Sequence, residues 1–267
     1  MMRYITGISL FTILILFLTS ASSSNQFVSD KDIYQKCLYP TIIVYDPGSS
    51  TAGSGFIVRS TKDGDKYKNI IITANHAIEG DGPFFVKCTK YKNLSEPASE
   101  KDYSMFVYAI ETKHDLAVGM FESDEQLPVA ELDFDHKIYM GSKIFHVGFG
   151  MMDDARIDRG EITQPSTFRP ESFKGSIRTN AYTIVGDSGG PLFYENNYKV
   201  IGVCKAVRSL DKQLLTHQSY FTDIKVIKSW NEETDNSLIS IYNHKEKMPV
   251  LPFVKLKLQN YKYSIPQ

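Results

Sequence analysis

The chain has 267 residues, of which 42% are hydrophobic and 23% charged, and its formal net charge is -1. These values are ordinary for a soluble globular protein and give no indication of a nucleic-acid-binding surface or an acidic substrate. The length allows one large all-β domain or two small ones. Three cysteines are too few for a disulfide scaffold, and none has the CxxC spacing of a metal site. Cys37 and Cys88 could pair in an oxidising compartment, whereas Cys204 lies in an apolar run and is predicted to be a buried thiol.

The first 21 residues have the pattern of a secretory signal peptide. Arg3 supplies a positive charge, residues 5–18 are almost wholly apolar, and residues 19–21 are small. Because the apolar segment is shorter than the ~20 residues that span a bilayer, a cleaved signal is favoured over a permanent anchor. The sequence therefore predicts a secreted or periplasmic protein that has no membrane contact after signal removal. Residues 22–38 are predicted to be a loose, polar lead-in.

From residue 39 onward, short apolar segments alternate with turn residues, a pattern typical of an all-β protein. In the first half, the predicted strands cover residues 41–45, 53–58, 69–73, 83–88, 105–110 and 116–118, with a solvated loop at 92–102. An acidic segment interrupted by proline, residues 122–136, is the predicted crossing to the second half. There the predicted strands cover residues 143–150, 159–163, 177–182, 191–194, 199–207 and 218–224. Apolar residues then recur at helical spacing, which predicts a C-terminal helix at about 222–232.

The most specific motif is GDSGGPL at residues 186–192. A serine between glycines is usually only a flexible turn, but two further segments accompany this one. His76 follows a predicted strand within the sequence TANHA, and Asp115 precedes the strand at residues 116–118. A serine hydroxyl becomes an effective nucleophile when a histidine takes its proton, and an aspartate can orient that histidine. His114 is a rival for the role of base, although its setting is weaker than the strand setting of His76.

These three segments resemble the catalytic motifs of chymotrypsin-fold serine proteases, in the chain order His, Asp, Ser. The GSGFIV segment at residues 53–58, before the histidine strand, is similar to the HtrA-like branch of that family. The resemblance covers roughly residues 40–232 and implies a protease domain at 39–232. Its fold would be two six-stranded antiparallel β-barrels, about 39–122 and 137–224, closed by the C-terminal helix. Residues 233–267 would form a C-terminal extension, too short for a PDZ domain.

The resemblance also implies a function, the hydrolysis of polypeptides through an acyl-enzyme without a cofactor or metal. Ser188 would be the nucleophile, His76 the base and Asp115 the group that orients it. The N–H groups of Gly186 and Ser188 would form the oxyanion hole. Because no acidic residue stands at the pocket position of the proteases that cut after Lys or Arg, we expect cleavage after small or medium apolar residues such as Val, Ala or Leu. The residues expected to line this pocket are Tyr182, Thr183, Cys204 and Ala206.

Two features depart from the family pattern. In the trypsin branch, cleavage before an Ile-Val-Gly-Gly end frees an amine that pairs with the aspartate preceding the nucleophile. Asp187 is present here without such an end, so its partner is left open between a Lys or Arg elsewhere and backbone N–H groups. We therefore expect activity after signal removal without internal cleavage. Lys205 stands where the family usually has a small polar residue near the catalytic aspartate, so its side chain either points outward or disturbs the triad.

Three other functions were weighed against the protease. The GxSxG elbow of α/β-hydrolase esterases also matches residues 186–190, but a helix follows that elbow, whereas residues 191–194 begin a strand here. A catalytically silent, protease-like binding module is the main alternative from another class, although all three triad residues are present. A chaperone or stress-sensing role like that of HtrA relatives would need a peptide-binding module, which is not predicted. The sequence does not indicate an oligomeric state.

Overall fold

The computed structural model describes residues 30–48, 51–79, 82–93, 96–169, 171–210 and 213–227. The predicted signal peptide and the C-terminal extension lie outside these residues. Residues 228–232 of the predicted C-terminal helix do too. The predicted helix start at residue 222 is wrong, because residues 222–223 end the last strand and 224–225 form a turn; only Val226 and Ile227 are described with helical backbone. A helix over 226–232 stays a prediction.

The described part of the lead-in is helical, so the expectation of a loose segment is wrong there. Helix α1 covers Asp30–Ile33 and is followed by a π-helical turn, Tyr34–Leu38. Ile33, Cys37 and Leu38 are buried against the apolar core between the barrels. Their spacing of four and five residues places them on one side of these turns, which gives the segment apolar surface to bury.

Twelve strands form two closed barrels within the described residues, and both barrels are antiparallel throughout. The strands of the first barrel are β1 (Thr41–Asp46), β2 (Thr51–Asp63), β3 (Lys66–Thr73), β4 (Phe84–Asn93), β5 (Glu96–Glu111) and β6 (Leu116–Ser123), adjacent in the order β1-β2-β3-β6-β5-β4. Those of the second are β7 (Lys143–Gly148), β8 (Arg156–Gln164), β9 (Ile177–Thr179), β10 (Pro191–Tyr194), β11 (Lys199–Leu210) and β12 (Gln213–Asp223), in the order β10-β11-β12-β9-β8-β7. The predicted pair of six-stranded antiparallel barrels is confirmed.

The solvated loop predicted at residues 92–102 is wrong, because β4 and β5 continue into this region as a hairpin. Lys90 lies opposite Ser99 in the antiparallel register. The side chains at the start of β5 are exposed and mostly polar, so they lack the apolar alternation that marks a strand in the sequence. Cross-strand contacts such as Lys87 with Glu100, 3.2 Å apart, accompany the backbone hydrogen bonds.

An apolar core joins the two barrels and fixes their relative position. Side chains from the first barrel (Phe56, Ile72, Val118) meet side chains from the second (Phe145, Val147, Phe193). The crossing segment contributes Ala130 and Leu132 to the same cluster. Its backbone is tied to both barrels, since the Ala130 N–H donates to the Ile57 carbonyl at 2.8 Å and the Asp133 N–H donates to the Val200 carbonyl at 2.9 Å. Residues at the seam are therefore held as firmly as residues inside either barrel.

The three cysteines are free and buried, so Cys37 and Cys88 do not pair. Cys204 lies in the core of the second barrel, as predicted. Burial raises the pKa of all three thiols, which keeps them protonated and poorly nucleophilic. Among the described residues, no helix is both long and apolar enough to cross a membrane.

Candidate active site

His76 and Asp115 meet because their strands are neighbours in the first barrel. β3 and β6 are antiparallel, with Thr73 opposite Ala117. The residues just after β3 and just before β6 therefore emerge at the same edge of the barrel. His76 lies in a short 3-10 turn, Asn75–Ile78, that follows β3.

The Asp115 carboxylate contacts His76 at two points. One oxygen, Oδ1, accepts the backbone N–H of His76 at 2.9 Å, and Oδ2 lies 2.6 Å from the ring nitrogen Nδ1. The Asn75 N–H also donates to the Asp115 carbonyl oxygen at 3.2 Å. Because a carboxylate only accepts hydrogen bonds, Nδ1 carries the proton in this contact and Nε2 is left as the basic nitrogen when the ring is neutral.

The turn that presents Asp115 is organised by Glu111. The Glu111 carboxylate accepts the backbone N–H groups of Lys113 and His114 at 3.1 and 2.7 Å. It also lies 3.0 Å from Nδ1 of His114, so this rival for the role of base is paired with Glu111 and not with Asp115. Asp115 itself has φ 62°, a left-handed conformation that aspartate tolerates better than most residues.

The environment of His76 favours its protonated form. Partial burial acts to lower the pKa of the imidazole, but the hydrogen bond and negative charge of Asp115 act in the opposite direction and prevail. The pKa of His76 is therefore raised above its ordinary value of 6.5. Since its side chain is 39% exposed, the ring is still open to a substrate from one side.

The loop that carries Ser188 is fastened to the first barrel by Ser54 of β2. The Ser54 N–H donates to the Ser188 carbonyl at 2.7 Å. The buried Ser54 hydroxyl donates to the Gly186 carbonyl at 2.8 Å and accepts the Phe149 N–H at 2.9 Å. A Cβ at the adjacent Gly53 would lie 2.7 Å from the Ser188 carbonyl oxygen and 2.7 Å from the Cβ of Ala77. This close approach brings the serine loop beside the turn of His76.

The conformation of the serine loop needs its glycines. Gly186 and Gly189 have φ 98° and 87°, in the left-handed region that glycine adopts without strain. A Cβ at Gly189 would also lie 2.7 Å from the Ala74 nitrogen, where no side chain fits. Within the described part of the chain, neither the Gly186 N–H nor the Ser188 N–H donates to another backbone group.

Arg156 is the partner of Asp187 that the sequence left open. Asp187 is fully buried, and its Oδ2 lies 2.7 Å from Nη2 of Arg156. Burial acts to raise the pKa of Asp187, but the nearby His146 ring, the Ile184 N–H and the Arg156 charge outweigh it and keep this pKa below the ordinary value. The carboxyl group is therefore ionised at neutral pH. No local motif marks Arg156, which lies 31 residues before Asp187.

The residues predicted to form the substrate pocket are only partly brought together. The buried Thr183 hydroxyl is hydrogen-bonded to the Ser219 hydroxyl at 2.6 Å, and Ser219 donates to the Ala181 carbonyl at 2.8 Å. The half-buried Tyr182 ring lies 5.7 Å from the ring of His217, edge to face. Sequence reasoning missed Ser219 and His217, since neither stands in a motif.

The other two predicted pocket residues lie on β11. The Cys204 side chain packs inside the core of the second barrel. Its backbone contacts the serine loop, because the Gly189 N–H donates to the Cys204 carbonyl at 2.8 Å and the Cys204 N–H donates to the Gly190 carbonyl at 2.8 Å. Ala206 is half-buried and pairs with Tyr220 of β12. Cys204 is therefore placed to support the loop through its backbone, with its thiol in the core.

Lys205 does not disturb the contact between His76 and Asp115. Its Nζ lies at the surface, 3.5 Å from the Ser172 carbonyl oxygen. The lysine therefore points away from the site, and at His76 its charge acts only weakly to lower the pKa. The described residues contain no group of three or more His, Cys, Asp or Glu side chains that could hold a metal ion.

Known proteins support this arrangement at the level of family and fold. A family model described as a trypsin-like peptidase domain matches residues 53–203, more than half of the chain. A solved structure titled "Crystal structure of Deg5", a protein of the HtrA family, is similar over 75% of this chain and 90% of that chain, with a TM-score of 0.59 and 18% sequence identity. That likeness supports the double-barrel fold. The chain belongs to the trypsin-like peptidase domain family.

Proposed function

We propose that this protein is a secreted serine endopeptidase that hydrolyses polypeptides through a His76–Asp115–Ser188 triad. The observation that carries the proposal is the two-point contact of the Asp115 carboxylate with His76, at 2.9 and 2.6 Å. The loop that carries Ser188 lies in the segment that the family model matches. The Ser54 N–H of the first barrel donates to the Ser188 carbonyl and so holds this loop against the barrel of His76. Export rests on the signal-peptide pattern of residues 1–21, and the protease domain is assigned to residues 39–232.

The proposed reaction proceeds through an acyl-enzyme. Nε2 of His76 takes the proton of the Ser188 hydroxyl while the serine oxygen attacks the carbonyl carbon of the scissile bond. The developing negative charge on the carbonyl oxygen accepts hydrogen bonds from the N–H groups of Gly186 and Ser188. When the tetrahedral intermediate collapses, the amine leaves with the proton from His76. A water molecule then repeats these steps on the ester and releases the acid product.

The pocket favours uncharged side chains on the residue before the scissile bond. Because Ser219 donates its proton to the Ala181 carbonyl, Thr183 must donate to Ser219. Neither hydroxyl then has a proton left to donate to a substrate carboxylate. No acidic side chain stands at Tyr182 to pair with a cationic substrate, and burying an unpaired charge is costly. We infer cleavage after small or medium apolar residues.

The direct test is covalent labelling of the nucleophile together with proteolysis. The protein without residues 1–21 should react with a fluorophosphonate probe and cleave casein. Ser188→Ala should abolish labelling and lower kcat for cleavage by roughly 10⁴- to 10⁶-fold. His76→Ala should lower kcat by a similar factor. If the Ser188→Ala variant cleaved casein at the wild-type rate, the nucleophile would be misassigned.

The same experiment separates the protease from a silent binding module. The His-Asp contact and the available N–H groups favour catalysis, because a module that only binds has no need of either. Folded wild-type protein that neither reacts with the probe nor cleaves casein would favour the binding module.

A further inference from the structure

A buried carboxylate lies directly beneath the proposed oxyanion hole. Oδ2 of Asp187 accepts the Ile184 N–H at 2.8 Å, and the Asp187 N–H donates to the Ile184 carbonyl at 3.1 Å. The carboxylate therefore closes the turn from Ile184 to Asp187. Gly186 lies inside this turn and Ser188 follows it, so a movement of the carboxylate would displace both N–H donors.

Arg156, the first residue of β8, supplies the opposite charge. Its Nη2 lies 2.7 Å from Oδ2 of Asp187, and its side chain is 29% exposed. The same guanidinium lies 3.4 Å from Asp158 and 5.2 Å from the centre of the Tyr182 ring. On the opposite side, Nε2 of His146 is 3.8 Å from Oδ1 of Asp187, beyond hydrogen-bond distance. Arg156 is therefore the direct charged partner of Asp187.

His146 cannot replace Arg156 in this role while its ring is neutral. Nδ1 of His146 lies 3.1 Å from the Pro191 carbonyl, which can only accept, so the proton of the neutral ring is on Nδ1. Nε2 then presents a lone pair towards Asp187 and offers it no positive charge. The guanidinium is therefore the positive charge that stays beside the buried carboxylate when the His146 ring is neutral.

We propose that Arg156 is a positioning residue that takes the place of the freed N-terminal amine of the trypsin branch. It holds Asp187, and through Asp187 the turn that carries Gly186 and Ser188, in the active arrangement without internal cleavage. A buried carboxylate that loses its counter-charge is strongly unfavourable, so without Arg156 the carboxyl group either takes up a proton or moves to water, and both change its hold on the turn. This inference rests on the proposed protease function, and its tests are chosen to fail separately from that function.

The first test compares matched substitutions on β8. Arg156→Gln should lower kcat on a cleavable peptide on the order of 100-fold or more, with a smaller change in KM, because oxyanion stabilisation is lost. Arg156→Lys keeps the charge and should recover most of this loss. The control is Arg159→Gln, three residues along the same strand, where the exposed arginine pairs with Glu195 at 3.5 Å. It should change kcat by no more than about twofold, as surface substitutions do.

A double-mutant cycle keeps the test informative if Arg156→Gln does not fold. The variant Arg156→Gln/Asp187→Asn leaves no uncompensated buried charge and should fold. If the two residues act as one unit, the double variant loses no more kcat than the more damaging single change. If the kcat losses of the two single variants multiply in the double variant, the residues act independently and the proposal is overturned.

The second test uses pH and the N-terminus of the active protein. An α-amine loses its charge near pH 8, whereas a guanidinium stays charged above pH 12, so kcat/KM should be level between about pH 8 and pH 10. The N-terminal sequence of the active protein should begin just after the signal, near residue 22. Pairing with a carboxylate would raise the pKa of such an amine, so a fall in kcat/KM anywhere between pH 8 and pH 10, with activity confined to a form starting inside the domain, would overturn the proposal.

Failure of the wild type and failure of the variants have different meanings. An inactive, folded wild type would refute the protease function itself. An active wild type whose Arg156→Gln variant behaves like Arg159→Gln would refute only the role of Arg156.

Discussion

The two barrels hold their parts of the site in different ways. The first barrel places His76 and Asp115 on adjoining segments of two neighbouring strands, and their hydrogen bonds are made to each other. The second barrel places Ser188 on a glycine-rich loop over the buried ion pair of Asp187 and Arg156. That loop also needs the Ser54 clamp from the first barrel. The contact between His76 and Asp115 thus depends mainly on these two residues, whereas the position of the serine loop also depends on contacts with Arg156 and Ser54.

After removal of His76 itself, the largest effect in the first barrel is expected from Asp115→Asn. An amide cannot accept at both contact points as the carboxylate does, and it stabilises the wrong tautomer of His76. We expect kcat to fall about 10⁴-fold with little change in stability. Rates on a peptide substrate and the melting temperature would measure both quantities.

A matched control for this variant is available on β5. Asp102 accepts the Tyr45 hydroxyl at 3.0 Å at the surface, so Asp102→Asn should leave kcat unchanged. Near-normal activity of Asp115→Asn would mean that the first barrel does not supply the orienting group.

The pocket of the second barrel should select substrates by size. A peptide library read by mass spectrometry should show cleavage after Val, Ala or Leu, with preferences of about 10- to 200-fold per methylene difference. The physical reason is that the Thr183 and Ser219 protons are already used and that no acidic side chain stands at Tyr182. Dominant cleavage after Lys, Arg or Glu would contradict this, and cleavage after Phe or Tyr would indicate a deeper pocket beside Tyr182.

Ser54→Ala tests whether the two barrels depend on each other. The substitution leaves the Gly186 carbonyl and the Phe149 N–H without their shared partner, at a cost of about 1–3 kcal/mol in folding free energy. Because Gly186 is a proposed donor of the oxyanion hole, we also expect kcat to fall about 10- to 100-fold, somewhat less than when a donor is removed outright.

The control for this variant is Ser60→Ala on the same strand. The Ser60 hydroxyl accepts the Leu127 N–H at 3.1 Å, away from the site. Loss of this hydrogen bond should reduce the free energy of unfolding without lowering kcat. Equal kcat in both variants would show that the serine loop does not need the first barrel.

The smallest effect is expected from pH. As the base, His76 must be neutral, so kcat/KM should rise about tenfold per pH unit at low pH and level off above the pKa. Asp115 raises this pKa, so the midpoint should lie above the 6.5 of a free imidazole. In Asp115→Asn the midpoint should move down. A rate that falls from pH 5 to pH 7 would exclude His76 as the base.

The barrels could be predicted, and His76, Asp115 and Ser188 singled out as candidate residues, because their signals are local. A β-branched strand followed by TANHA, an aspartate before an apolar strand, and GDSGGPL each lie within about ten residues. Exposed polar strands carry no such local signal, so the sequence predicts a loop where the structure has the β4–β5 hairpin. The buried side of the lead-in could not be predicted either, because its apolar residues are buried only through their contact with the core between the barrels.

The sequence by itself determined the family and the two-barrel fold, and it singled out His76, Asp115 and Ser188 as the candidate catalytic residues. Only the tertiary structure decided which contacts hold the serine loop and how the Thr183 hydroxyl is paired. Those contacts join residues 31, 132 and 36 positions apart: Arg156 with Asp187, Ser54 with Gly186, and Thr183 with Ser219. Hydrogen bonds and ion pairs depend on distances of about 3 Å, and for partners so far apart these distances are set by barrel closure and by the packing of one barrel on the other.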